Sequence, residues 1–480
     1  MMLSARLWRR RLVFWCGALI VGIVSSYFAI VADIVNGFFH QHIQTHGFLP
    51  LLVTPLIFAV SAGLTQHFFP AARGSGIPQA IAARIMRDPD NRKQLIGMRI
   101  AVAKILLTLL GILGGASIGR EGPTVQIGAA IMLLCASLGG LSAQRGIVLA
   151  GAAAGVAAAF NTPLAGIVFA IEEMARAFEQ RNSSIVLIAI VFSGAAAMSI
   201  LGNYHYFGYT DTTLSLAHNW QAVLGTGVVG GLAGGLFARL IIDGEPFLRN
   251  CYKQLGKRRP VLFAAVCGLA VASIGVATNG ITFGSGYTMG HALLHGDMEA
   301  AWWQMPAKLL ATALSTISGI PGGIFSPSLS VGAALGAEMS PWFFHTPMEG
   351  VILLAMVSYF AGVTQAPITA FVIVLEITGK ATDAVPLIAA AVLAAGIGRM
   401  ICPVSLYHSL VTRTRDSVDR RSVFIEITEQ GQEFIMKSPH LLHNKLQQNL
   451  AELAEEERIQ VANSLDLLLL LMGEKIKASE

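Results

Sequence analysis

The sequence predicts an all-α, polytopic membrane protein with broken membrane helices, an internally repeated core and a short soluble, α-rich tail. Three observations carry this. Of 480 residues, 54% are hydrophobic and only 13% charged, where an ordinary soluble domain carries about 25% charged residues. The charges are uneven: of 61 Lys, Arg, Asp and Glu, 21 lie in 413–480 and the other 40 in the first 412 residues. Finally, a Gly/Pro pattern recurs at one offset. Gly119 matches Gly323, Pro123 matches Pro327, Pro163 matches Pro367 and Glu172 matches Glu376, each 204 residues apart. Two copies of a broken membrane segment in one chain point to a transporter's substrate site.

Taken in order, the apolar stretches fall at 12–32, 47–69, 96–118, 124–140, 147–171, 184–201, 222–242, 261–278, 305–318, 328–343, 350–363, 367–377 and 384–402. A bilayer needs about 20 helical residues, and several stretches fall short. Short helices meeting head-on inside the membrane explain them, because unwound backbone at that depth must line a cavity or be buried in protein. Arg6, Arg9, Arg10 and Arg11 precede the first stretch, and Arg84, Arg87, Arg92 and Lys93 separate the second from the third. Basic short loops face the cytoplasm, so both segments are expected there. The first stretch is too long for a signal peptide and no small-residue cleavage site follows it. The small-residue run Gly151–Gly155 suits close helix packing.

The tail differs. Residues 414–480 are polar, with Leu at helical spacing from Leu441 onward, and Leu467–Leu471 is apolar but too short to span. An amphipathic, partner-packing helix is expected. The net charge of +5 comes mostly from loops and is no nucleic-acid footprint. The five cysteines, Cys16, Cys135, Cys251, Cys267 and Cys402, are odd in number and dispersed, which suggests neither disulfides nor a zinc site. His40, His42 and His46 lack a carboxylate or Cys pattern, so no metal is expected.

Four turns share one design, small or polar residues, then Pro, then an apolar helix: Gly74-Ser75-Gly76-Ile77-Pro78, Gly119-Arg120-Glu121-Gly122-Pro123, Asn161-Thr162-Pro163 and Gly322-Gly323-Ile324-Phe325-Ser326-Pro327. Pro suits the first helical position and glycine the sharp turn before it. Such an end presents free N–H groups and the positive pole of the helix dipole, an anion site. Any one turn is explained by helix termination alone; four, two of them repeat mates, are not. Glu121 sits at such an end within a membrane-length run, where an ionisable residue marks function. Ionised, it can take the anion's place; protonated, it vacates it. The structural alternatives are an N-terminal cap or a pair with Arg120. Glu172 has the repeat mate Glu376, so a shared architectural role is expected for both. Glu173 faces Ile377 in the other copy, which favours it as a proton entry point on the cytoplasmic side, against the alternative of a solvated interfacial carboxylate.

These residues resemble the CLC family of chloride channels and chloride/proton antiporters. Gly74–Pro78 is similar to its first anion-binding loop, Gly119–Pro123 to its gating-glutamate motif and Gly323–Pro327 to its third signature; Ala157–Gly166 is also similar. The resemblance covers about residues 12–413. It implies a homodimer with one pore per subunit, each pore built from two inverted halves, here about 12–205 and 220–412 of a transmembrane domain spanning 1–412. It further implies that Ser75 and Tyr407 donate hydroxyls to a central anion, with the N–H groups of Ile324 and Phe325 completing the site. Gly119, Arg120 and Gly122 belong to the same anion-binding motif, which Pro123 and a buried Lys104 support. Glu121 is the implied external gate and Glu173 the internal proton glutamate. Ser75 is similar to the chloride-type choice, while Gln79 replaces the carboxylate that commonly follows the first motif's proline. In the tail, 413–480, Asp419–Gly431 resembles the wing of MarR-type winged-helix regulators and the remainder their dimerisation helices. There is no room for a DNA-reading helix before the wing, so a dimer clasp is expected and nucleic acid is not.

The expected function is exchange of chloride for protons across a bacterial inner membrane, by a multi-pass protein with both termini cytoplasmic. No enzymatic activity and no cofactor are expected; the partners are chloride, protons, the lipid bilayer and a second copy of the chain. A passive gated chloride channel is the alternative, and a membrane-bound sensor acting through the tail is a third reading. Glu173 favours the exchanger, since a proton needs an inner relay that a channel does not.

Overall fold

With no water in a bilayer core, each membrane segment must satisfy its backbone internally, and the chain does so with helices. The computed structural model describes residues 5–86, 88–140, 145–175, 180–202, 205–210, 212–253, 260–379 and 384–411, and among them there is no β-strand. These residues lie in one unit, Met1–Asp419; the tail, with its expected clasp, lies outside the described residues. The first half comprises α1 (Ala5–Phe38), α2 (Leu49–Phe68), α3 (Ile77–Ile85), α4 (Pro89–Ile96), α5 (Met98–Leu113), α6 (Glu121–Leu138), α7 (Arg145–Phe160), α8 (Pro163–Phe169) and α9 (Gln180–Leu201). The second comprises α10 (Leu216–Lys253), α11 (Pro260–Ala277), α12 (Tyr287–Leu294), α13 (Gln304–Ile317), α14 (Phe325–Met339), α15 (Met348–Thr364), α16 (Pro367–Thr378) and α17 (Ala384–Ile401). Seven described helices are long and apolar enough to cross a membrane, and α7, α15 and α16 are shorter apolar helices.

Several elements recur at the repeat offset, while α4 has no counterpart in the second set. α6 and α14 begin 204 residues apart, as do α8 and α16. Packing repeats too: α6 lies on α7 as α14 lies on α15, and α1 on α9 as α10 on α17. Across the halves, α2 packs on α11 and α8 on α16. The apolar stretch at 147–171 is two helices, because Asn161 takes a left-handed turn (φ 58°) between α7 and α8. Glu172 and Glu173 then fall in a π-helical turn, Ala170–Ala175, rather than at the end of α8 itself.

The repeat mates meet at the interface of the halves. Gly119 N–H donates to the Gly323 carbonyl and Gly323 N–H to the Gly119 carbonyl, both at 2.7 Å, as an antiparallel bridge. Gly322 N–H donates to the Gly74 carbonyl at 3.0 Å, so the first loop is tied to the third. Two buried lysines hold the flanking loops. Lys104 Nζ donates to Ala72 O (2.8 Å) and Gly74 O (2.5 Å). Lys308, its mate at the 204 offset, donates to Thr282 O (2.9 Å) and Gly284 O (2.8 Å). In each case one carbonyl lies two residues before a Gly-Ser-Gly loop and the other is the loop's first glycine, Gly74-Ser75-Gly76 and Gly284-Ser285-Gly286 being two copies of one loop at an offset of 210 rather than 204. Both loops enter a short helix through a glycine at positive φ, Gly76 (103°) before α3 and Gly286 (80°) before α12.

Two predictions follow from this frame. A Cβ added to Gly323 would lie 2.8 Å from Gly122 N and 3.1 Å from Gly119 O, and backbone cannot yield as a side chain does. Gly323→Ala should therefore destabilise the protein by about 1–3 kcal/mol, read as a lower unfolding temperature in detergent. Lys104→Met keeps the volume but strips two buried carbonyls of their donor; a loss of about 2 kcal/mol is expected. An unchanged unfolding temperature for Lys104→Met would show that the ammonium does not hold the loop.

Candidate anion and proton site

A helix start leaves its first N–H groups without intrahelical partners, and the five broken helices at the centre treat theirs in two ways. At α8, Leu164 N–H and Ala165 N–H donate to the Glu376 carboxylate (3.1 and 2.6 Å). At α16, Ile368 N–H and Thr369 N–H donate to the Glu172 carboxylate (3.1 and 2.6 Å), joined by the Thr369 hydroxyl at 2.6 Å. Each half thus caps the other's helix. The turn Asn161-Thr162-Pro163, grouped by its sequence with the anion-binding turns, is one of these capped ends.

The starts of α3, α6 and α14 have no side-chain cap. Proline opens α8 and α16 at the first position and α3 at the second, but in α6 and α14 it stands third, at Pro123 and Pro327. The two N–H groups ahead of it remain available: Glu121 and Gly122 in α6, Phe325 and Ser326 in α14. Gly119 itself is committed to the bridge with Gly323. Gly122 backs onto Ser75, since a Cβ there would meet Ser75 Oγ, and Ser75 O at 2.9 Å. Ile324 and Phe325 are buried, with the Phe325 ring among Phe160, Phe169, Phe360 and Tyr407.

Glu121 is 1% exposed. Its carboxylate lies against its own backbone N–H and that of Ser326, between the starts of α6 and α14. Its Oε2 has no hydrogen bond, and the buried hydroxyls of Ser75 and Tyr407 have none beyond each other. Tyr407 is fully buried, with Ser75, Glu121 and Glu173 all within its electrostatic reach. Two hydroxyls side by side can satisfy only one donor between them, and a buried O–H left without an acceptor suits an anion.

Arg120 is not paired with Glu121. Its Nη1 donates to Asp33 Oδ1 (2.6 Å) and Ala29 O (2.7 Å) on α1, with the guanidinium 5.9 Å from the centre of the Tyr206 ring. Glu173 is buried, with Oε1 3.9 Å from His408 Nδ1. Arg84 Nη1 donates to Met174 O at 3.1 Å, so Glu173 lies at the end of the molecule that carries the basic segment 84–93.

Several residues here were not found by sequence reasoning. Tyr206 donates to Glu121 Oε1 at 3.5 Å and lies 3.0 Å from Ser326 Oγ. Asp33, a carboxylate within the first apolar helix, signalled itself by its position. Lys308 stands at the repeat offset from Lys104. His408 adjoins Tyr407 and carries no pattern of its own.

Residues 57–399 match the voltage gated chloride channel family. The chain is 31% identical over 391 residues to the H(+)/Cl(-) exchange transporter ClcA of Yersinia pestis bv. Antiqua (strain Angola), covering 76% of this chain and 79% of that one; the protein of the same name from Yersinia pseudotuberculosis serotype O:3 (strain YPIII) matches equally. Among solved structures, a slow cyanobacterial Cl-/H+ antiporter superposes with a TM-score of 0.72 at 22% identity, over 85% of this chain and 98% of that one. A CLC-type fluoride/proton antiporter superposes with a TM-score of 0.71 at 23% identity, over 83% and 96%. With its broken helices, bridged glycine loops and matched sequence, the chain belongs to the voltage-gated chloride channel (CLC) family.

Proposed function

We propose that this protein exchanges chloride for protons across a bacterial inner membrane, as a homodimer with one pore in each subunit and both termini cytoplasmic. The observation that carries the reading is the position of Tyr407, its buried hydroxyl beside that of Ser75 and within reach of both Glu121 and Glu173. Chloride binds where the hydroxyls of Ser75 and Tyr407 and the N–H groups of Ile324 and Phe325 converge. Glu121, on the outer side, alternates with a second anion for the place between α6 and α14. When protonated it loses its attraction to the two helix starts and swings clear, carrying the proton. Glu173 supplies that proton from the other side. Its proximity to Arg84 supports a cytoplasmic placement, because short basic loops stay inside. The only bonds made and broken are the O–H bonds of carboxyl groups that take up and release a proton, and no cofactor enters the cycle. A serine in the first loop supports chloride over fluoride as the transported anion.

Reversal potentials in planar bilayers test this. Under a chloride gradient, adding a pH gradient should move the reversal potential away from the chloride Nernst value. A potential that ignores pH makes the protein a channel. Glu121→Gln should keep anion flux while abolishing pH-driven chloride uptake in proteoliposomes, and Glu173→Gln should also uncouple. Glu172→Gln replaces one of two carboxylate acceptors at the start of α16 and should leave coupling intact, lowering stability by about 1–2 kcal/mol.

A further inference from the structure

The segment between the halves carries a residue with no part in the reading above. Tyr206 lies in 205–210, between α9 and α10, and is 4% exposed. The backbone beside it is pinned on two sides: Phe207 N–H donates to Ile377 O at 3.1 Å, and His295 Nε2 meets Phe207 O at 3.0 Å. The ring is held edge-on by Phe160 (5.8 Å), Phe207 (5.1 Å) and Tyr287 (5.1 Å). That cage fixes the hydroxyl between Glu121 Oε1 at 3.5 Å and Ser326 Oγ at 3.0 Å. A carboxylate accepts only, so Tyr206 donates to Glu121, and Ser326 is then the donor to Tyr206. The chain of donors runs from the start of α14, through the inter-half segment, to the gate on α6.

We propose that Tyr206 is a latch for the gating carboxylate: it holds ionised Glu121 in the anion's place and sets how readily the gate leaves. The inference rests on the reading of Glu121 as the gate. Tyr206 is a positioning residue, since it touches the gate and not the central anion. A bond of 3.5 Å is at the long limit for O–H···O. That length suits a latch, because a short charge-assisted bond would be roughly twice as strong and would have to break in each cycle. The charged and titratable groups around Glu121 are Arg120 and Asp33, with Tyr407 on the inner side. Arg120 is itself bonded to Asp33 and Ala29, so Tyr206 is the side chain that donates to the carboxylate.

Tyr206→Phe tests the latch, because it removes one oxygen and leaves the aromatic cage filled. Exchange by purified Tyr206→Phe in proteoliposomes should speed up about two- to five-fold, with the chloride-to-proton ratio unchanged. A donated hydrogen bond favours the ionised carboxylate. Without it, the pH at which exchange is half-activated should move upward, by about half a unit. In a Glu121→Ala background the same substitution should change neither rate nor pH profile, since there is nothing left to latch. Three outcomes overturn the latch: an unchanged pH profile, a slower exchange, or an equal rate change in the Glu121→Ala background, which marks a merely structural role. If Glu121→Ala alone keeps full proton coupling, the gate reading fails first, and the latch with it.

Discussion

Everything at the centre of this protein depends on two reciprocal hydrogen bonds between Gly119 and Gly323. They join the same residue of the two repeats, so they fix the relation of the halves at the point where the unwound loops meet. Unwound backbone in a membrane must be satisfied by protein, and here each copy satisfies the other. The bridge also sets what stands beyond it. α6 and α14 start two residues after their bridged glycines, so pairing the glycines brings two helix starts together. A side chain at Gly323 would press the two loops apart, since even a methyl there approaches the Gly122 nitrogen to 2.8 Å.

A second constraint decides which helix starts face the anion. All five broken helices have unpaired N–H groups, and any of them would attract an anion. Glu172 and Glu376 neutralise two of these ends by reaching across the halves, whereas the starts of α6 and α14 share the Glu121 carboxylate. Architecture and function thus use one kind of group, a carboxylate against a helix start. What separates them is permanence. Glu172 is held by three donors, whereas one oxygen of Glu121 has no hydrogen bond at all.

The repeat made the helix breaks legible in the sequence, because Gly119, Pro123, Pro163 and Glu172 share one offset with their mates. It also separated Glu172 from Glu173. Other features were hidden for physical reasons. Lys308 stands at the 204 offset, but the loop it holds has drifted to 210, so the pair of lysines and the pair of Gly-Ser-Gly loops never align together. The capping of α8 by Glu376 spans more than 200 residues and has no local trace, which is why the Asn161–Pro163 turn reads like an anion end. Tyr206 lies in a short polar segment without periodicity, and its partners come from α6 and α14. Arg120, one residue from the gate, invites pairing with Glu121; only the fold brings Asp33 on α1 to it.

The turning of Arg120 towards Asp33 bears on how fast such a site can work. A full positive charge 4 Å from an anion contributes about 4 kcal/mol at an effective dielectric of 20. Each 1.36 kcal/mol is tenfold in rate, so a cation facing the pore would slow release of the anion roughly a thousandfold. Helix starts act as about half a charge each, and the hydroxyls of Ser75 and Tyr407 add dipoles without charge. Three cations near the loops are bonded elsewhere: Lys104 and Lys308 to backbone carbonyls, Arg120 to a carboxylate and a carbonyl. They hold the loops in place, and at the proposed site the donors offered to an anion are N–H and O–H dipoles. The same weakness lets one carboxylate compete with it. Against a fixed cation, protonating Glu121 would forfeit an ion pair in every cycle. Against two helix starts and a long bond to Tyr206, the carboxylate gives up less, which is what the proposed gating role of Glu121 requires.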